Sequence, residues 1–143
     1  HDCQVGDDVI LVNHVSLAGH VVVEDHAIIG GLCGVHQYCR IGRYAMVGAH
    51  SMVVQDVLPY TTVAGPRAHL AGLNLVGLKR HGFDRESINQ LRDALDALFA
   101  EPGTVEGRLD EISQTLPDKG PADDVLRFIT RATRGRGFTG PLE

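Results

Sequence analysis

The sequence carries only three cysteines, a low and odd count that argues against a disulfide framework and fits a reducing compartment. Positive charge is also scarce. Thirteen Lys and Arg against 18 Asp and Glu leave a net charge of −5 and a pI near 5.9, which argues against a nucleic-acid-binding surface. No run approaches the ~18 consecutive apolar residues of a membrane span, and no signal-peptide pattern opens the chain. Helix-forming sequence is nearly absent before Val63. At 143 residues the chain suffices for one domain with a core, or a small domain plus an appendage. It starts at a histidine with no initiator Met, so a fragment or processed product is expected.

What the first half has instead is a period of six. Every sixth residue from Val5 is aliphatic: Val5, Leu11, Leu17, Val23, Ile29, Val35, Ile41, Val47 and Val53. Four residues after each stands a small or β-branched residue, from Val9 and Val15 through Cys33 and Cys39 to Ser51 and Val57. Gly6, Gly30, Gly42 and Gly48 follow the aliphatic directly, where a tight corner would favour glycine. Hairpin sheets alternate with period two and show turn signals between strands, and this stretch does neither. The spacing predicts a left-handed parallel β-helix of hexapeptide repeats over 1–65, with three hexads per triangular coil. Cys33 and Cys39 then fall at the small inward position, with Cys3 in the same phase, so they read as buried apolar residues rather than nucleophiles or zinc ligands.

Histidine is the unusual abundance, with four between Leu11 and Gly42. Sorting by hexad assigns His14, His26 and His50 to other faces. His1, His20 and His36 fall in hexads eighteen residues apart and are expected to form a ladder up one edge, with Asp2 and Gln37 beside them. Coils about 4.8 Å apart would spread that ladder over ~10 Å. Three readings of it stand. The residues could be solvated corners. They could hold zinc, although ligands on successive coils converge on one ion only with help from a neighbouring subunit. Or His1, oriented by Asp2, could be a general base.

Composition changes at "AGPRAH", and 66–143 reads as a C-terminal α-helical domain. Asp84 is a good N-cap for a helix through "RESINQLRDALDALFA", with Ile88, Leu91, Leu95, Leu98 and Phe99 on one face. "TVEGRLDEISQTL" and "PADDVLRFITRAT" repeat the pattern, and a shorter helix is expected over "LNLVGLKR". These apolar stripes read as core. "RGRGFTGPLE" reads as a frayed tail. Arg127, Arg131, Arg134 and Arg136 concentrate positive charge near the end of an acidic chain.

"HDCQVGDDVILVNHVSLAGHVVVEDHAIIGG", "VHQYCRIG", "MVGAHSMVVQDVLPY" and "GLNLVGLKRHGFDRESI" together resemble the UDP-N-acetylglucosamine O-acyltransferases that open lipid A biosynthesis. The hexapeptide repeat alone marks only a superfamily; "LAGH", "VHQ" and "GLKR-x-GF" in this order are more specific. The resemblance runs from His1 to about Leu98, with a weaker echo at "RFITRATRG". It implies a cytoplasmic homotrimer with active sites in clefts between adjacent β-helices. It implies transfer of a (3-hydroxy)acyl chain from acyl carrier protein to the 3-hydroxyl of UDP-N-acetylglucosamine. No metal or other cofactor is implied, since the donor rides on the phosphopantetheine of the carrier protein.

By the same resemblance His1 would be the general base, Asp2 its orienting acid and the Gly19 N–H an oxyanion donor. His20 would position substrate, His36 and Gln37 would touch the sugar and pantetheine, and Asn74 and Arg80 would hold the nucleotide diphosphate. Ala49 would lie in the region that measures acyl-chain length, and the arginines near the end would suit docking of an acidic carrier protein. Val76 and His81 depart from the pattern, standing where an acidic residue and a second arginine are common. The family also carries further coils before the His1 position, so the resemblance covers about its C-terminal half, and such a segment alone is expected to be inactive. The alternatives are a γ-type carbonic anhydrase-like zinc enzyme, a non-catalytic β-helical scaffold, and an N-acyltransferase of the same pathway. "GLKRHGF" with the helical tail favours the O-acyltransferase.

Overall fold

A computed structural model describes residues 1–117, 119–132 and 136–142. Nine two-residue strands come first: β1 (Gln4–Val5), β2 (Ile10–Leu11), β3 (Ser16–Leu17), β4 (Val22–Val23), β5 (Ile28–Ile29), β6 (Gly34–Val35), β7 (Arg40–Ile41), β8 (Met46–Val47) and β9 (Met52–Val53). Each pairs in parallel with the strand three along, so that Val5 meets Val23, and Val23 meets Ile41. Three sheets result, β1-β4-β7, β3-β6-β9, and a longer one containing β2-β5-β8. This is the expected left-handed β-helix, about three coils tall, with the eighteen-residue register that the hexads predicted.

Two-residue strands are held chiefly by what they enclose. Val23, Ile29, Val35, Ile41, Val47 and Val53 point inward with Val21, Ala27, Cys33, Cys39 and Ala45, all buried in one cluster. Each fully buried Val or Ile contributes roughly 1.5–3 kcal/mol, more than the ~0.5–1.5 kcal/mol net of a single backbone hydrogen bond. The cysteines fit the apolar reading. Cys33 donates to the Gly48 carbonyl at 3.0 Å. Burial, with the charge of Asp56 adding to it, pushes the Cys39 thiol up to about 11, so it stays protonated and inert at neutral pH.

The corners differ from the expectation. The left-handed residue of each corner lies three after the aliphatic and is never glycine: Asp2, Asp8, His14, His20, His26, Leu32, Tyr38, Tyr44 and His50 have φ between 54° and 65°. Such a conformation costs an L-residue roughly 1–2 kcal/mol, which the stacked core offsets. The glycines serve a different need. A Cβ on Gly30 would come within 2.6 Å of the Ala49 nitrogen on the next coil, and Gly6 and Gly42 are crowded in the same way by Asp25 and Pro59. They permit close approach between coils and do not turn the chain.

One inward position is polar. Ser51 is 2% exposed and its hydroxyl has no hydrogen-bond partner. An unsatisfied buried hydroxyl costs ~1–3 kcal/mol. Ser51→Ala is therefore expected to leave stability unchanged or raise it by about 1 kcal/mol, which chemical unfolding would measure. A clear loss would mean that the hydroxyl is satisfied in solution.

The period then breaks. Val57 bridges Ile41 and Thr62 pairs with Met46, offsets of sixteen residues in place of eighteen. Val57 thus takes the place of a leading aliphatic and not the small position assigned to it by count. β10 (Thr61–Ala64) continues the long sheet in parallel, and β11 (His69–Leu73) pairs with it antiparallel across a bulge at Thr62/Val63. The composition change at Pro66 falls in the turn of this hairpin.

Four helices follow among the described residues: α1 (Leu75–Arg80), α2 (Arg85–Leu98), α3 (Val105–Thr115) and α4 (Pro121–Thr130). Asp84 caps α2 by accepting the Ser87 N–H at 2.7 Å, a bond that holds its carboxyl below the usual range. Ile88, Leu91, Leu95 and Leu98 bury the predicted face of α2 against Ile112 of α3 and Val125, Leu126 and Phe128 of α4. Leu58 and Tyr60 join this second core from the last coil. The tail is not frayed where it is described. Asp56 and Phe138 form a bridge, the Thr139 N–H donates to the Asp56 carbonyl at 2.7 Å, and the Leu70 N–H donates to Gly140 at 2.7 Å.

Candidate active site

Because the left-handed residue recurs every eighteen, each corner carries a column of stacked side chains. The first corner holds Asp2, His20 and Tyr38, the second Asp8, His26 and Tyr44, and the third His14, Leu32 and His50. His1 precedes the first column and closes onto it. Its Nδ1 lies 2.7 Å from Asp2 Oδ2. A carboxylate can only accept, so Nδ1 carries the proton and the neutral ring keeps its lone pair on Nε2. The His20 N–H donates to the His1 carbonyl at 3.0 Å, and the two rings meet edge to face at 5.1 Å. His20 Nε2 lies 3.8 Å from the same Asp2 oxygen.

Gly19 leaves room for the His1 ring. A Cβ at residue 19 would come 2.7 Å from His1 Nε2, so any side chain would displace the imidazole. Tyr38 completes the column. Its ring stacks on His20 at 4.8 Å and 9° between planes, and its N–H donates to the Gly19 carbonyl at 3.0 Å. Sequence reading did not single out Tyr38, although sorting by position within the hexad would have found it. Asp2, His20 and Tyr38 share one phase exactly as a column requires; His1, Gly19 and Gln37 share the preceding one.

That sorting corrects the histidine ladder. His36 is one position earlier than Gln37 and two before Tyr38, so it does not stack on His1 and His20. Its Nδ1 lies 3.3 Å from the Gln37 carbonyl. The structure therefore gathers His1, Asp2, Gly19 and His20, and leaves His36 and Gln37 as exposed residues one coil further on.

Asn74 and Arg80 lie elsewhere. Asn74 caps α1, accepting the Gly77 N–H at 3.1 Å while its Nδ2 donates to the Tyr44 carbonyl at 2.9 Å. Arg80 ends α1, and His81 sets its ring 5.0 Å from Tyr44 and 5.2 Å from His26. α1 thus runs along the second corner, whereas His1 and His20 stand on the first. Val76 is 68% exposed and makes no part of this packing. Ala49 is on the third corner, exposed, where the His50 N–H donates to Gly31 at 2.9 Å. Ile10, Val12, Leu32 and Met52 expose 40–57% of their surface on that corner and its flanks.

The arginines near the end are less available than their count suggests. Arg127 pairs with Asp123 at 2.8 Å and Asp124 at 3.7 Å. Arg131 is exposed, Arg136 is half-buried, and Arg134 lies outside the described residues.

Residues 56–138 match the family model described as UDP-N-acetylglucosamine O-acyltransferase, domain 2. The chain is 58% identical over 129 residues to a protein of Caulobacter vibrioides named acyl-(acyl-carrier-protein)–UDP-N-acetylglucosamine O-acyltransferase, covering 90% of this chain and 49% of that one. A protein of the same name from Thermodesulfovibrio yellowstonii is 49% identical over 135 residues, covering 94% of this chain and 52% of the relative. The solved structure of Arabidopsis UDP-N-acetylglucosamine acyltransferase superposes with a TM-score of 0.87 at 39% identity, covering all of this chain and 51% of that one. The chain spans about half the length of the relatives it matches.

Proposed function

Since the chain belongs to the UDP-N-acetylglucosamine O-acyltransferase family, we propose that it supplies the catalytic corner of an enzyme that acylates the 3-hydroxyl of UDP-N-acetylglucosamine from acyl carrier protein, the first step of lipid A biosynthesis. The observation that carries this reading is the His1–Asp2 pair, whose 2.7 Å contact leaves Nε2 as the basic atom beside the space that Gly19 keeps open. His1 Nε2 takes the proton from the sugar 3-hydroxyl as its oxygen attacks the thioester carbonyl. The negative charge that develops on the carbonyl oxygen is met by the Gly19 N–H. Collapse breaks the carbon–sulfur bond, and the pantetheine thiolate leaves with the proton returned by His1. His20 orients the sugar, and the step calls for neither a metal nor a covalent enzyme intermediate.

His36 and Gln37 extend the same edge toward the sugar and pantetheine. Asn74 and Arg80, which hold the nucleotide diphosphate, stand on another corner of the same prism. A homotrimer in which one subunit's first corner faces a neighbour's second corner brings both sets to one cleft. The exposed apolar side chains at the third corner suit such burial as well. We assign the chemistry to residues 1–65 and docking of the acidic carrier protein to the helices of 66–143, with Arg131 exposed for that contact. Three free cysteines fit a cytoplasmic setting.

Incubating the complete protein with UDP-N-acetylglucosamine and mixed acyl carrier protein thioesters tests the assignment. Mass spectrometry should find the nucleotide sugar heavier by one acyl group; an unchanged sugar, or acylation of a 3-amino analogue alone, would overturn it. The same assay reads chain length. Ala49 is small and exposed on the third corner, and each methylene excluded from an apolar groove is worth ~1–3 kcal/mol. Ala49→Met is expected to shift the product toward shorter chains while total turnover on short donors is kept. An unchanged product ratio would place the length-measuring residues elsewhere.

A further inference from the structure

We propose that His1, Asp2 and His20 also form a binding site for a divalent transition ion such as zinc, and that occupancy switches the enzyme off. The binding half of this inference stands on geometry alone; the inhibition half rests on the proposed acyl transfer. One nitrogen of each imidazole and one Asp2 oxygen lie within 4.8 Å of one another. The pairwise distances, 2.7 Å from His1 Nδ1 to Asp2 Oδ2 and 3.8 Å from His20 Nε2 to the same oxygen, bracket the ~3.3 Å between donors of a tetrahedral site with ~2.0–2.2 Å bonds. All three side chains are exposed, so rotations that move each donor by about an ångström close the set without disturbing the core. Two imidazoles and a carboxylate are a donor set that zinc accepts, with water as the fourth ligand. Gly19 leaves the flank of the His1 ring free of any side chain.

The second corner is a built-in control. Asp8 and His26 repeat the Asp–His distance at 3.8 Å, and His26 stacks on Tyr44 at 4.6 Å as His20 does on Tyr38. Residue 7, in the phase of His1, is an aspartate, and no three-donor group gathers there among the described residues. The second imidazole of that corner is His81, whose ring lies 5.2 Å from His26 but whose donors do not gather with Asp8, so the columns differ in the imidazole that stands beside the carboxylate.

Coordination at His1 Nδ1 leaves the neutral ring with its proton on Nε2, the atom that must accept the substrate proton, and it draws Asp2 away from orienting the ring. Base and ligand belong to the same ring. Binding displaces any proton carried by the ligating nitrogens, so the ion is held less tightly as pH falls.

The test is a cobalt titration of the complete protein, followed by the visible absorption of the bound ion. One ion per chain is expected. His20→Gln should weaken binding by at least about tenfold, and His26→Gln should leave it unchanged. Asp2→Asn serves as a second variant, with circular dichroism to show that each protein is folded. Zinc should abolish acyl transfer, and a chelator should restore it. Absence of a cobalt spectrum, or equal affinity in wild type and His20→Gln, would overturn the site. Binding that follows this pattern in a protein with no acyltransferase activity would instead remove the proposed function and leave the metal site standing.

Discussion

Replacing His1 by alanine is expected to slow acyl transfer by ~10²–10⁴ while leaving nucleotide-sugar binding and stability nearly unchanged. The size of the effect follows from its place. The His1 side chain is 75% exposed, so its removal opens no cavity, and its hydrogen bond is to an exposed aspartate on the neighbouring residue. What is lost is the proton acceptor. Steady-state kinetics would show the loss in kcat with KM for the nucleotide sugar preserved. Asp2→Asn should fall between wild type and His1→Ala, because an amide can still contact the ring but can also present the wrong partner to Nδ1. Near-normal turnover in His1→Ala would end the assignment of this corner as the catalytic one.

The largest expected effect on stability lies at Asp56. This carboxylate accepts from the Arg40 backbone N–H at 2.9 Å and from Nε at 2.8 Å, and meets the far guanidinium nitrogen at 2.7 Å. Arg40 in turn donates to the Phe128 carbonyl at 2.8 Å and lies 4.0 Å above the Phe128 ring. The pair is mostly buried, with side-chain exposures of 19% and 8%. It joins the β-helix, the irregular coil, α4 and the C-terminal segment at one point. Asp56→Ala strands a guanidinium in that setting and should cost ~3–5 kcal/mol in chemical unfolding, a large share of the ~5–15 kcal/mol typical of a whole domain. Arg40→Met combined with Asp56→Leu should be less damaging than Asp56→Ala, since it leaves no unpaired charge. A single variant that unfolds like wild type would show that the pair only decorates the junction.

How much of this could be read from the residues depends on which kind of information each feature uses. The coils were legible because Val23, Ile29, Val35, Ile41 and Val47 repeat a spacing that only a hexapeptide solenoid satisfies. The N-cap of α2, Asp84, and the apolar face of Ile88, Leu91, Leu95 and Leu98 were legible for the same local reason. The pairing of His1 with Asp2 could be read from adjacency. His36 was misplaced because hexad membership gives the face but not the height along a corner; one residue of phase separates a stacked side chain from one that points elsewhere. Asn74 was read as a ligand from its motif, and its double use, as cap of α1 and donor to Tyr44, depends on contacts thirty residues apart. The grip on the tail by Asp56, through Thr139 and Phe138, was invisible because no periodicity links a loop to a segment more than eighty residues later.

The antiparallel course of β11 has a consequence for the solenoid as a material. A stack of identical parallel rungs ends in a bare edge of N–H and C=O groups, which is a template on which another chain can add. Up to β10 nothing in the geometry forbids one more rung. The two-residue deficit between Ile41 and Val57 shifts the final coil out of step, and the hairpin through Gly65 lays β11 along β10 in the reverse direction. An incoming parallel strand then finds its place taken by a segment of opposite polarity and broken register. On this one of the three faces, growth is stopped by five residues, His69–Leu73, before any helix is counted.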